Sequence, residues 1–165
     1  MKILVLGLGN DLLADDAAGI LAARGLREIF GPGSAKALSP TVDVVESSLS
    51  GVALLDLFLG YDKAIIIDAV QTGRAPPGTI HELAPEDLGS IVAPSPHYTG
   101  LPELLELAKS LDLHFPGEIA IFAIEVQDPH TIGGALSAPV QAALPDLAAR
   151  VASKVRGWSK GPPIS

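Results

Sequence analysis

Three short runs, KILVLGL from Lys2, KAIIIDAV from Lys63 and EIAIFAIEV from Glu118, are apolar almost without interruption. A strand with apolar residues on both faces must be covered on both faces, which is the condition of a mostly parallel sheet between helices. The segments between them fit that architecture. A helix is expected from Asp15 or Asp16 to Phe30, closed by Gly31-Pro32-Gly33, and a second strand over Thr41 to Glu46. Val52 to Leu59 reads as a short amphipathic helix ended by Gly60, and Thr79 to Leu83 as a short strand after the turn chemistry of Gly73 to Gly78. Pro85 to Gly89 reads as a helical turn, Ala93 to His97 as a rigid loop, and Leu101 to Leu111 as a helix with one apolar face. A last helix covers Ala138 to Val155, where Pro145 should kink or divide it. The expected fold is a single α/β domain, residues 1–157, with a mostly parallel, twisted five-stranded sheet and helices on both faces; residues 158–165 form a flexible tail.

Composition narrows the function. The 165 residues are 48% hydrophobic and 18% charged, enough apolar content for one packed core. Nineteen acids against eleven Lys and Arg give a net charge of -8, and aromatic residues are limited to four Phe, two Tyr and one Trp. Phosphate backbones are repelled by such a chain and single strands find few stacking platforms, so nucleic acid is not an expected partner. Cysteine is absent, which excludes disulfides, thiolate nucleophiles and Cys-based metal sites. No apolar stretch reaches membrane-spanning length, and the apolar opening runs directly into Asn10 and Asp11 without a cleavage signature; the expected location is the cytoplasm.

Open α/β sheets bind their ligands outside the carboxyl ends of the strands. There the sequence offers Asn10, Asp11, Asp15 and Asp16 after the first strand, Asp68 at the end of the third, His97 in the Pro-rich loop, and Asp128 and His130 after the last. Asp15 and Asp16 fit helix capping and the helix dipole as well as they fit ligands. Asp68 follows three isoleucines, and a buried carboxylate needs a cation or hydrogen-bond donors. A loop imidazole at position 97 has little packing to do, His130 is a reserve ligand, and His81 and His114 read as surface or packing residues. Two carboxylates and an imidazole would make an O,O,N site with open positions, suited to a divalent ion that also takes outside ligands. GLGNDL holds two glycines of a dinucleotide fingerprint, but Leu12 stands where the third belongs and acids crowd the helix start.

The opening MKILVLGLGNDLLADDAAG resembles that of the nickel-iron hydrogenase maturation endopeptidases, a strand followed by G-x-G-N-x-L-x-x-D and a second acid. The resemblance continues through IIIDAV, through Ser95-Pro96-His97, and through HTIGGALSAPVQAA from His130, and so covers the chain to about Val155. Two segments depart from the pattern: Ala17 stands where glycine is common, and Glu46 to Gly51 replaces an Asp-Gly-Gly-Thr-like turn. The resemblance implies that Asp16, Asp68 and His97 are the metal-binding and catalytic residues. It further implies that the metal is nickel already inserted in a hydrogenase large-subunit precursor, that no organic cofactor is used, and that the reaction removes the precursor's C-terminal extension. Two mechanisms fit: nickel polarising the scissile carbonyl or a water, or a carboxylate acting as general base on water. The competing reading is a non-proteolytic nucleotide- or anion-binding module built on the GLGN turn.

Overall fold

A computed structural model describes residues 1–31, 41–90, 97 and 100–159. The strands are β1 (Lys2–Leu8), β2 (Thr41–Ser47), β3 (Lys63–Val70), β4 (Ile80–Leu83) and β5 (Glu118–Glu125). The α-helices are α1 (Ala18–Phe30), α2 (Leu55–Phe58), α3 (Leu101–Ser110) and α4 (Ala138–Ser159). Short 3-10 turns over Asp15–Ala17 and Gly51–Leu54 lead into α1 and α2, and a third spans Pro85–Ser90.

The five strands form one sheet in the order β2-β1-β3-β5-β4, parallel except for β4, which runs antiparallel to β5 at one edge. Alternate residues of each strand feed opposite cores, as the period of two requires. Ile3, Val5, Ile65, Ile67, Phe122 and Ile124 pack under α1 and α4. Leu4, Leu6, Leu8, Ile66 and Ile121 face the layer built from Leu54, Phe58, Leu101 and Leu104 of the α2 and α3 regions. The expected three-layer α/β fold is therefore present.

Boundaries shift where local geometry intervenes. The acidic pair lies in a 3-10 turn and the α-helix proper starts at Ala18. The helix expected over 52–59 is half 3-10, and Gly60 ends it in the left-handed region at φ 81°. Pro145 lies inside α4 without dividing it. That helix also continues two residues past the expected domain limit of 157. Trp158 explains the extension: its indole N–H donates to Glu118 Oε1 at 2.8 Å and its ring sits 5.0 Å from the Lys63 ammonium. The rest of the expected tail, the Pro32-Gly33 stop and the Pro-rich loop at 93–96 lie outside the described residues.

Two glycines bring the carboxyl end of the sheet close to α1. A methyl group at Gly19 would stand 2.5 Å from the carbonyl oxygen of Ile67 and closer still to that of Leu8, so only glycine lets the first turn of the helix rest on β1 and β3 there. Gly9, at φ 146°, turns the chain with the Asp16 carbonyl pressed against the space a side chain would need. Ile67 precedes Asp68, so this close approach sets the distance between the first acidic turn and the third strand.

Candidate metal centre

The strand order reverses between β1 and β3, since β2 lies to one side of β1 and the later strands lie to the other. Such a switch point leaves a crevice at the carboxyl ends. Asp16 comes from the turn after β1. Asp68 comes from β3 on the same face as Ile66 and Val70, the face of the α2 and α3 layer. His97 reaches the same point from the loop before α3. One potential ligand atom from each of these three residues lies within 4.8 Å of the others. Among the described residues no other group of three His, Asp or Glu side chains meets in this way.

Each member is oriented by a backbone partner. Asp16 Oδ2 accepts the Asn10 N–H at 2.9 Å, and Asp68, fully buried, accepts the Ala69 N–H through Oδ1 at 2.8 Å. His97 Nδ1 lies 3.3 Å from the Leu49 carbonyl oxygen. A carbonyl can only accept, so Nδ1 carries the hydrogen and Nε2 is turned inward, 4.0 Å from Asp16 Oδ2. This environment raises the imidazole pKa to about 9, chiefly through the Asp16 carboxylate; burial opposes the shift, while the Asp68 charge and the Leu49 carbonyl add to it. His97 is therefore protonated at neutral pH, between the two carboxylates.

Asp15 behaves differently from its neighbour. Helix capping was one of the readings open for it, but neither the acidic turn nor α1 has a side-chain cap. Instead Asp15 is fully buried and accepts the N–H groups of Gln127 and Asp128, both at 2.9 Å, and the N–H and hydroxyl of Ser137 at 2.7 and 2.8 Å. Burial alone would raise its pKa; the donors from Asp128, Ser137 and Gln127 together outweigh it and hold the carboxyl below the usual range. Asp15 thus fastens the β5–α4 loop to the turn that carries Asp16.

Of the other candidates, Asp128 closes its own turn by accepting from His130 N, Thr131 N and the Thr131 hydroxyl, and His130 is exposed. Neither joins the three-residue cluster. His114 pairs with Asp62 at 2.9 Å on the surface, as a surface residue would. His81 has a more specific place than expected, 3.3 Å from the buried Glu125, whose carboxylate also accepts from Thr72 and Gly73. Asn10 was a candidate by its place after β1, but its contribution through the main chain, like those of Leu49 and Ser137, was not anticipated. The first two act through main-chain groups that leave no mark in the sequence, whereas Ser137 stands just before α4, a position at which serine commonly signals a hydrogen-bonding role.

The GLGN turn has few donors left for a phosphate. The N–H groups of Gly9, Leu13, Ala14, Asp15 and Ala17 go to backbone carbonyls, and those of Asn10 and Leu12 go to Asp16 Oδ2 and Asn10 Oδ1. A nucleotide-binding turn needs such groups pointing outward.

The family model described as hydrogenase maturation protease matches residues 33–154. The chain belongs to this family. The hydrogenase 2 maturation protease of Escherichia coli is 30% identical over 134 residues, covering 79% of this chain and 77% of that protein. The hydrogenase expression/formation protein HupD of Rhizobium leguminosarum bv. viciae is 28% identical over 160 residues, 95% of this chain and 75% of its own length. Among solved structures, the hydrogenase maturating endopeptidase HybD from Escherichia coli superposes with a TM-score of 0.78 at 26% identity, covering 95% of this chain and 93% of that one. The nickel-iron hydrogenase maturation protease HybD from Thermococcus kodakarensis gives 0.70 at 28% identity, with 94% and 99% covered. Like these maturation proteases, the chain is an endopeptidase, and the fold inferred from its sequence is theirs.

Proposed function

We propose that this endopeptidase removes the C-terminal extension of a nickel-iron hydrogenase large-subunit precursor that already holds nickel, and that Asp16, Asp68 and His97 are the groups that meet the metal. The observation that carries the reading is the convergence of two carboxylates and one imidazole within 4.8 Å at the switch point. Oxygen and nitrogen donors bind first-row divalent ions at about 2.0–2.2 Å, so donors on one ion stand about 3–4 Å apart and only small side-chain movements are needed here. Three protein donors leave positions for groups the precursor brings.

Nickel bound in the precursor would supply Lewis acidity at the scissile carbonyl or at an attacking water. The chain's own residues do the rest. Asp68 presents its carboxylate from a fully buried position, where its charge is poorly screened. Asp16 is held by the Asn10 N–H, and His97 would bind the metal through Nε2 once that nitrogen has lost its proton to solvent. A carboxylate oxygen left off the metal would be placed to accept the proton of an attacking water. Recognition and activation coincide, because the site is complete only when the metal and the peptide bond arrive together.

A cytoplasmic setting belongs to the same proposal, and the apolar opening forms β1, an interior strand of the sheet. No helix among the described residues is long and apolar enough to cross a membrane. The reading is tested by incubating the protein with nickel-loaded precursor and measuring the masses of both products. One cut near the C-terminus is expected, and casein or unrelated peptides should stay intact. General digestion would contradict the proposal.

A further inference from the structure

The segment after β2 departs from the family pattern, and the metal centre leans on it. Ser47 is the last residue of β2 and pairs in register with Leu8. Its carbonyl accepts the Gly9 N–H at 3.2 Å, which ties it to the turn that leads to Asp16. Its hydroxyl accepts the Leu49 N–H at 3.0 Å and so closes a short serine turn. The Leu49 carbonyl in turn accepts the Nδ1 hydrogen of His97. One serine therefore stands between the acidic turn and the imidazole, its main chain joined to the first and its side chain to the loop that holds the second.

Leu49 has little else to hold it. Residues 48–50 belong to no helix or strand and are exposed, Leu49 itself to 43%. Among the described residues its N–H has the Ser47 hydroxyl as partner and no other, and Ser50 makes no side-chain cap to the 3-10 turn that starts at Gly51. With the N–H held on one side and that turn following on the other, the carbonyl is aimed at His97. Without the hydroxyl the N–H would turn to water and the carbonyl would sample other directions. A ring nitrogen that donates to a fixed carbonyl leaves the opposite nitrogen for a metal. We propose that Ser47 is a positioning residue, which aims the Leu49 carbonyl so that His97 presents Nε2 to the incoming nickel. This rests on the maturation reading and deepens it, adding to the three metal-facing residues a fourth that acts through the imidazole.

Ser47→Ala removes the hydroxyl and keeps the carbonyl that binds Gly9, whereas Ser47→Thr keeps both. In the free protein at neutral pH, the His97 Nδ1–H followed by nuclear magnetic resonance should exchange with solvent about three- to tenfold faster in Ser47→Ala, the scale of one lost hydrogen bond. Nickel binding to the free protein should weaken by a similar factor. On nickel-loaded precursor kcat should fall about as much, with KM changed less than about twofold. Ser47→Thr should restore all three values, and Ser50→Ala, in the same loop, should leave them at wild type, with circular dichroism unchanged throughout. In the His97→Ala background, Ser47→Ala should cost no further nickel affinity; a serine that merely supported the acidic turn would cost the same in both backgrounds. Unchanged His97 exchange in Ser47→Ala, or equal nickel losses with and without His97, would overturn the proposal and leave the maturation reading standing. Failure of the wild type to cleave the precursor would remove the maturation reading, while the His97 exchange rates would still decide whether Ser47 positions the ring.

Discussion

The two ends of the sheet use charge in opposite ways. At the amino ends, each acid meets a cation or a donor: Lys63 lies 2.7 Å from Glu118, His114 2.9 Å from Asp62, and the Lys2 N–H bonds Asp62 at 2.6 Å. These side chains are all partly exposed, from 26% at Lys63 to 64% at His114, and such pairs add little to stability. At the carboxyl ends, Asp16 and Asp68 share one imidazole at a site where Asp68 is fully buried and His97 nearly so. One end is balanced, and the other is left with an excess of negative charge directed at one point. Buried charge of this kind clusters at functional sites.

The comparison can be broken most forcefully at the carboxyl end. His97→Ala, Asp16→Asn and Asp68→Asn should each lower precursor cleavage by at least about 10²-fold, the scale of losing one electrostatic contact at a reacting centre. Circular dichroism should show a retained fold, and wild-type cleavage by any of the three would remove that residue from the site. Asp15→Asn should act on the fold instead. An amide oxygen cannot replace a carboxylate facing four donors, so denaturant unfolding should show a loss of about 2–4 kcal/mol. Metal binding by the protein that remains folded should be close to wild type; equal metal losses at 15 and 16 would erase the distinction between anchor and ligand. Gly19→Ala should cost about 1–3 kcal/mol by overpacking against the Leu8 and Ile67 carbonyls, and should weaken metal binding because it pushes the acidic turn away from Asp68.

A smaller effect comes from pH. The His97 pKa is raised to about 9 from an ordinary value of 6.5, so this group's contribution to stability is fully present below 6.5 and is lost as pH rises through about 9. Metal binding runs the other way, since the ion must displace the proton. Between pH 6.5 and 8 the apparent affinity for added nickel should rise by up to about tenfold per unit, measured by calorimetry. A flat profile would mean that His97 is not a ligand. The smallest effect is expected at the amino end, where Lys63→Met should change unfolding free energy by no more than about 1 kcal/mol and leave cleavage unchanged.

Much of the fold was legible because three strands are apolar on both faces, a pattern only a covered sheet explains. The strand order was not, since nothing local tells β5 to insert between β3 and β4. Within the site, Asp68 was readable from physics alone, as a charge closing a run of isoleucines. Asp16 was separated from Asp15 only by family resemblance, because both fit a strand end and a helix start. The role of Asp15 was hidden, its donors lying 112, 113 and 122 residues away in the chain. Leu49 was invisible for another reason: it orients His97 through a carbonyl, and every residue has one.

The central claim is that the substrate's metal completes a site the protein leaves open. The most direct test offers the same large-subunit precursor with and without nickel, at matched enzyme concentration, and quantifies the released C-terminal peptide. The structure predicts release from the nickel-loaded form and essentially none from the metal-free form, with His97→Ala inactive on both. Equal cleavage of the two forms would contradict it, and would make the cluster an ordinary acid–base centre that needs no metal from its client.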